Sequence, residues 1–209
     1  MRKLSRFLGV ILIAAALVLI FWQDIRAYFT DQVNDKIISA YEQDETPQVS
    51  HIEKWITKTE PEKLKLQKNM LGYLKIPAAD INEPLLKGPA SQTNLRNGVT
   101  LVEQGEKLTE QNVAIAGHRV EGAGIRFNYL DRAKKGDHII IVTRDGQKVY
   151  QIYDIFNVNP SEVEVLDEHP GKPKELTLIT CESYNPNTLL FDKRMIVKAR
   201  MIKGSSSNR

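Results

Sequence analysis

The sequence predicts a mainly β protein, a closed barrel with one or two short helices, preceded by an N-terminal transmembrane helix. From residue 70 onward, short apolar runs rich in β-branched residues alternate with turn residues, as in antiparallel barrels. An Asp-Gly pair within residues 144–147 predicts a hairpin turn. Near the start of the chain, an apolar run would form a helix whose length approaches the thickness of a membrane. The predicted strands are residues 71–76, 81–86, 113–116, 138–143, 148–158, 175–180 and 194–202, with a short helix at 128–135.

The N-terminal apolar run is predicted to be an uncleaved membrane anchor. Three basic residues lie within residues 1–6, and residues 7–22 carry no charge. Sixteen residues form a helix of about 24 Å, short of a hydrocarbon core of about 30 Å, so the span is extended to residue 25. The positive-inside rule places the N-terminus in the cytoplasm and the following domain outside the cell. A cleaved signal peptide is the alternative, but Phe21 and Trp22 stand where cleavage needs small residues.

Charge is divided unevenly between the anchor and the rest of the chain. Three of the 29 Lys and Arg residues lie in the first six positions, which leaves 26 to balance 26 Asp and Glu. The part outside the membrane is therefore formally neutral. Without a basic surplus, the sequence predicts no nucleic-acid partner.

Residues 26–65 are predicted to form a partly helical stalk that lifts the β domain off the membrane. Apolar residues recur near helical spacing within 33–41, and Ser50 with Glu53 matches a capping box that begins a short helix. The alternative is that Trp55 and its neighbours pack on the β domain or cover a groove. The predicted division is a basic segment at 1–6, an anchor at 7–25, the stalk at 26–65, the main domain at 66–202 and a disordered tail at 203–209.

Cys181 is the only cysteine of the chain, and it closes an apolar, β-branched run at 177–181. The end of a strand on a rigid sheet can hold a nucleophile in place while a substrate approaches. A single cysteine outside the cell cannot form an internal disulfide, which favours a free reactive thiol or an intermolecular bridge. The alternative is a buried structural cysteine that behaves as a small hydrophobic residue.

A thiol needs a base or a positive charge nearby to become a good nucleophile. Among the four histidines, His118 follows the predicted strand 113–116 and so also stands at a strand end. Arg194 opens the last predicted strand and could donate hydrogen bonds to an oxyanion. Taken singly, His118 could be a structural histidine and Arg194 a solvated surface residue.

Three segments together resemble the signature of bacterial sortases, closest to class A. They are Ala116-Gly117-His118, the Thr-Leu-Ile-Thr-Cys run at 177–181 and Lys193-Arg194. Their order and spacing, and the N-terminal anchor, agree with that family. The resemblance covers residues 68–202 and implies a sortase-type barrel of about eight strands.

The resemblance implies a membrane-anchored cysteine transpeptidase. In the family, a thiolate cleaves an LPxTG-type sorting signal between Thr and Gly, and an amine of lipid II or its cross-bridge resolves the thioacyl enzyme. By this resemblance Cys181 is the nucleophile, His118 the proton donor and acceptor, and Arg194 holds the substrate and stabilises the oxyanion. The implied partners are LPxTG-bearing surface proteins, a lipid II or cell-wall amine and the membrane, and no cofactor is required.

The same resemblance assigns a substrate groove. Residues 159–174 would form a mobile specificity loop, and Thr180 would assist at the oxyanion through its backbone or its hydroxyl. Ordinary core packing is the alternative role for the apolar members of the groove. The residues implied to line a channel for the Leu-Pro part are Ala90, Val102, Ala116, Val163, Val165, Leu166 and Ile179.

Calcium is implied as an activator, because some class A sortases bind it through carboxylates near the groove. Oxygen ligands suit calcium, although surface carboxylates are more often only solvated. The matching positions are Glu103, Glu106, Glu110 and Glu168.

Two other functions stay open from the sequence. A hydrolytic cysteine peptidase of the envelope would use the same residues but would not transfer the acyl group to an amine. A non-enzymatic anchored binding module would keep Cys181 buried and unreactive.

Overall fold

Eight strands close into one barrel, in the order β1-β2-β3-β4-β7-β8-β6-β5. The structure, a computed structural model, describes residues 2–64, 66–119, 126–185 and 190–206. The β2–β3 and β4–β7 pairs are parallel and the other pairs are antiparallel. The predicted closed barrel is confirmed. The strands are β1 Met70–Ile76, β2 Ile81–Leu86, β3 Val99–Leu101, β4 Asn112–Ala116, β5 His138–Thr143, β6 Gly146–Val158, β7 Glu175–Asn185 and β8 Leu190–Ser206.

Short helices connect some of these strands, and longer ones precede them. The prediction of a helix at 128–135 is wrong, because only a 3-10 turn at Leu130–Arg132 forms there. The chain turns away at Gly136, which has a φ of +97°, and the Asp137 carboxylate accepts a hydrogen bond from Lys134 N. The α-helices are α1 Arg2–Ile20, α2 Trp22–Gln43, α3 His51–Thr57, α4 Leu66–Asn69 and α5 Gln92–Asn97.

The β5–β6 hairpin turns on two residues, Arg144 and Asp145. Thr143 already pairs with Gly146, so the glycine of the predicted Asp-Gly turn is the first residue of β6. Gly146 has a φ of +124°, a conformation that side chains other than glycine rarely adopt. Strand β3 was not predicted, because its three residues are too few to show a period.

The tail predicted to be disordered is ordered over most of its length. Strand β8 continues to Ser206, which pairs with Gly146 at the start of β6. The reason is the length of β6, whose 13 residues offer backbone partners beyond the end of the apolar pattern. The final residues of the prediction, 207–209, lie outside the described residues.

The N-terminal helices do not form the continuous helix predicted through residue 25. Helix α1 ends at Ile20, and the chain bends by 63° before α2. No single helix among the described residues is both long and apolar enough to span a membrane. By length and composition, α1 and α2 together could span one as a bent pair. The apolar side chains of α1 are exposed on the surface of the protein, Leu19 by 76%.

Helix α2 packs against the outside of the barrel rather than extending away from it. Val33 and Ile37 are fully buried in a cluster that includes Met70 and Tyr73 of β1 and Leu86 of β2. The predicted stalk is therefore helical as expected, but α2 lies on the domain. The capping box of α3 is confirmed by hydrogen bonds in both directions between its capping serine and glutamate.

Candidate active site

Strands β4 and β7 run parallel up to the end of β4, and β7 then continues to Asn185, so the strand end predicted at Cys181 is wrong. Their last paired residues are Ala116 and Ile179. His118 follows Ala116 by two residues, and Cys181 follows Ile179 by two residues. A constant register therefore places His118 opposite Cys181.

Hydrogen bonds on both sides of this pair keep that register. On the inner side, the Thr180 hydroxyl donates to the Gly117 carbonyl at 3.0 Å. One residue further along both segments, the Arg119 guanidinium forms a salt bridge with the Glu182 carboxylate and another, of 3.1 Å, with Asp131. The residues directly before and after the histidine are thus tied to those directly before and after the cysteine. Neither Arg119 nor Glu182 belongs to a pattern that the sequence alone reveals.

Cys181 and Arg194 are direct partners across the antiparallel β7–β8 pair. Paired residues on neighbouring strands point to the same face, so both side chains lie on the outside of the barrel, and both are half-buried. In this conformation the Arg194 guanidinium donates to the carbonyls of Phe191 and Lys193 at 3.3 and 3.0 Å. Lys193 leaves the opposite face of β8, and its ammonium donates to Asn159 Oδ1 at 2.7 Å.

The His118 ring is half-buried, with Nε2 at 3.3 Å from Gln92 Oε1. Burial lowers the pKa of His118 below its ordinary value, and the positive charges of Arg126 and Arg96 lower this pKa further. The neutral imidazole is therefore favoured, which suits a group that must accept a proton from an amine.

The backbone after β4 is fixed by Phe127. Phe127 N donates to the His118 carbonyl at 3.1 Å, and the phenyl ring packs directly on Gly117. A Cβ at Gly117 would collide with that ring, so only glycine allows this close approach.

A buried ion pair holds the segment that carries Phe127. The Arg126 guanidinium contacts the Glu83 carboxylate of β2, and the two side chains are 1% and 5% exposed. The same guanidinium donates to Asn34 Oδ1 of α2 at 2.9 Å and to the Arg96 carbonyl of α5. The sequence contains one indication of this ion pair, because Glu83 occupies a core-facing position between two buried apolar residues of β2.

The predicted groove residues mostly lie beside the β4–β7 pair. Ala90 N donates to the Val102 carbonyl at 3.1 Å, and Val102 N donates to the Ala114 carbonyl of β4 at 3.1 Å. The Val165 carbonyl accepts a hydrogen bond from Asn112 Nδ2, which links the predicted specificity loop to the same strand. Of the set, Ala90, Val102, Ala116, Val165, Leu166 and Ile179 are half-buried, Val163 is exposed and Thr180 is buried.

Thr180 differs from the other predicted substrate residues because it faces the interior. It is 2% exposed, and its hydroxyl already donates to the Gly117 carbonyl. The expected contribution of that hydroxyl to an oxyanion is therefore not supported, and only its backbone stays available.

The four predicted calcium ligands lie in two loops, and three of them accept hydrogen bonds from backbone N–H groups. Glu106 accepts from Glu103 N and Ala114 N, Glu110 from Lys107 N, and Glu168 from Gln111 N. Burial raises the pKa of Glu106, and the neighbouring Glu110 raises it further. Within the described parts of the chain, no group of three or more His, Cys, Asp or Glu side chains is placed to hold a metal ion. The carboxylates in this arrangement do not fit a formed calcium site.

Comparison with known proteins places this arrangement in a family. Residues 74–202 match the sortase domain. The chain is 37% identical over 203 residues to sortase A of Staphylococcus aureus, covering 97% of this chain and 98% of the relative. It is 31% identical over 136 residues to sortase A of Bacillus anthracis, covering 65% and 61%. A sortase D5 transpeptidase of Clostridium perfringens has a TM-score of 0.59 at 25% identity, covering 82% of this chain and 99% of that one.

Proposed function

The chain belongs to the sortase family as a sortase A-like cysteine transpeptidase that anchors surface proteins, and we propose that it cleaves an LPxTG-type sorting signal between Thr and Gly. We further propose that an amine of lipid II or peptidoglycan is the acceptor. The observation that carries this proposal is the shared register of β4 and β7, which brings His118 opposite Cys181, with Arg194 paired to Cys181 on the other side.

In the first half-reaction, His118 takes the proton of the Cys181 thiol, and Cys181 Sγ attacks the threonine carbonyl of the sorting signal. The carbonyl oxygen takes the negative charge, which Arg194 stabilises. When the C–N bond breaks, His118 gives a proton to the departing glycine amine, and a thioester joins the surface protein to Cys181.

In the second half-reaction, the acceptor amine attacks the thioester carbonyl. His118 takes the proton from that amine, the new amide bond forms, and the thiolate of Cys181 leaves. The low pKa of His118 keeps it ready to accept this proton at neutral pH.

We propose that the protein is held in the cell membrane by its N-terminal segment, with the N-terminus in the cytoplasm and the barrel outside. The apolar, exposed surface of α1 and the basic residues at the start of this helix support this orientation. Because α2 packs on the barrel, this anchor would hold the active site close to the membrane.

Peptide ligation by the full chain in dodecyl maltoside micelles tests the proposal. An LPxTG peptide and triglycine should yield, by mass spectrometry, a product in which triglycine replaces everything after the threonine. Release of the cleaved acid alone would indicate the hydrolytic cysteine peptidase instead. An uncleaved peptide would contradict the substrate assignment.

His118→Ala is expected to lower kcat/KM for peptide ligation by about 10²–10⁴, because proton delivery to the leaving amine is lost. The other histidines lie elsewhere: His51 begins α3, His138 begins β5 and His169 is in the β6–β7 loop. His51→Gln, His138→Gln and His169→Gln should each retain near wild-type kinetics. If His138→Gln were as severe as His118→Ala, the pairing of His118 with Cys181 would be wrong.

Arg194→Ala is expected to lower kcat by at least about 10²–10³, the usual cost of losing one oxyanion donor. Arg194→Lys should recover only part of the loss, because an ammonium lacks the planar, multi-donor head. Lys193→Ala is the matched control, since its side chain leaves the other face of β8. Steady-state kinetics on the three variants decide, and a crippled Lys193→Ala would mean that the active cation had been assigned to the wrong residue.

Calcium activation stays a prediction, and it now requires rearrangement of the loop that holds Glu106. Transpeptidation measured with calcium from zero to millimolar concentrations should rise, and Glu106→Gln should remove the rise. A flat response over that range would discard calcium as an activator.

A further inference from the structure

A cavity of about 450 Å³ lies between the N-terminal helices and α5, next to the active site. Arg26 of α2, Lys58 after α3 and Arg96 of α5 contribute to its walls. His118 also lines it, so the cavity reaches the proton-transfer residue directly. The mechanism derived above gives no role to Arg26 or Lys58, and it uses Arg96 only through its effect on the pKa of His118.

The charge of this cavity is one-sided. Within the described part of the chain, its walls include no Asp or Glu, and none of its three cations forms a salt bridge. The Nε atom of Arg26 is buried and lacks a hydrogen-bond partner. Buried donors in folded proteins nearly always have a partner, and beside two further cations an anion is a well-matched partner for this one.

The fold holds these cations in place. Trp22 at the start of α2 and Trp55 of α3 contact edge to face, with ring centroids 5.9 Å apart. Lys58 ends α3 in a left-handed conformation, and its ammonium lies 5.1 Å from the Trp55 ring centroid. The tryptophan contact therefore fixes Lys58 near the first turns of α2, where Arg26 lies.

The cavity also lies near the membrane side of the protein. Arg26 is six residues beyond Ile20, the end of α1, and the 63° bend between α1 and α2 keeps it less than about 9 Å beyond that end along the α1 axis. Apolar residues of α1 are exposed, whereas charged residues return from Asp24 onward. In the proposed orientation, Arg26 is thus at the depth of the lipid headgroups.

We propose that this cavity binds the diphosphate group of a membrane lipid, and that it holds a lipid-carried amine acceptor beside His118. A diphosphate concentrates more negative charge in a small volume than a phosphodiester, which matches three converging cations. Arginine binds phosphate oxygens through paired N–H donors, and lysine adds a point charge. The proposal rests on the proposed function, in which the acceptor is linked to a lipid.

The test follows the His118 ring by NMR in the full chain, in dodecyl maltoside micelles whose headgroups are uncharged. Farnesyl diphosphate in the micelles is the lipid probe, and inorganic pyrophosphate is the free one. An anion bound beside His118 should raise its pKa by about one pH unit. Half-saturation should need about tenfold less of the lipid probe than of pyrophosphate.

Two variants locate the binding. In the double variant Arg26→Gln/Lys58→Gln, farnesyl diphosphate should no longer raise the His118 pKa, while thermal unfolding reports that the fold is intact. Lys134→Gln, an exposed lysine outside the cavity, removes one charge elsewhere and should keep the rise.

Three results would overturn the proposal: no rise in the wild type, a rise that persists in the double variant, or equal half-saturation by the two probes. The last would make the cavity a site for free diphosphate. Ligation of the peptide to triglycine by the wild type tests the proposed function separately, since triglycine carries no phosphate.

Discussion

Cys181→Ala is expected to abolish peptide ligation, with a loss of about 10⁴-fold or more, while the barrel stays folded. No other thiol exists in the chain to replace the nucleophile. The side chain is half-buried on the outer face of β7, so its truncation leaves no cavity in the barrel core. Removing the nucleophile of a comparable catalytic unit costs about 10⁶-fold in kcat. Mass spectrometry of the ligation mixture measures the loss.

The control for this variant is the folded state itself. The melting temperature of Cys181→Ala should lie within a few degrees of the wild type, because a surface truncation changes stability by about 0.5 kcal/mol or less. Iodoacetamide should alkylate the native wild type at Cys181 and abolish ligation in parallel. Ligation near the wild-type rate by Cys181→Ala would remove the basis for the mechanism.

Cys181 and His118 could be singled out from the sequence because each follows an apolar, β-branched run. Such a run does not show where backbone pairing stops: His118 follows the end of β4, but β7 continues past Cys181 to Asn185, and β8 begins at Leu190, before Arg194. The proximity of Cys181 and His118 depends on the parallel pairing of β4 with β7, whose partners are 63 residues apart. Periodicity alone cannot give that pairing, and only the resemblance to sortases supplied it.

Other features depended on contacts between distant parts of the chain. The helical spacing of α2 was visible, but its apolar residues pack on β1 and β2, and no local pattern identifies that partner. The extension of β8 to Ser206 depends on the length of β6. The polar residues of the tail show no strand pattern, so the sequence did not predict this extension. The salt bridge of Arg119 with Glu182 joins two surface-type residues that become neighbours only in the barrel.

The largest effect on stability is expected from the buried pair of Glu83 and Arg126. Three separate elements converge on the Arg126 guanidinium: Glu83 of β2, Asn34 of α2 and the Arg96 carbonyl of α5. Glu83 also accepts a hydrogen bond of 2.8 Å from Arg126 N. Removing the carboxylate would leave a buried guanidinium without its counter-charge.

Glu83→Leu is expected to lower the free energy of unfolding by about 3–5 kcal/mol, a large share of the usual 5–15 kcal/mol for a domain. Adding Arg126→Met removes the stranded charge as well, so the double variant should be more stable than Glu83→Leu alone. Lys135→Gln is the control, because its salt bridge with Asp154 is exposed and should contribute less than about 1 kcal/mol. Urea unfolding of the full chain in dodecyl maltoside, followed by circular dichroism, gives the four free energies. A double variant less stable than Glu83→Leu would mean that Arg126 stabilises the region after β4 mainly through Asn34 and Arg96 rather than through its charge pair.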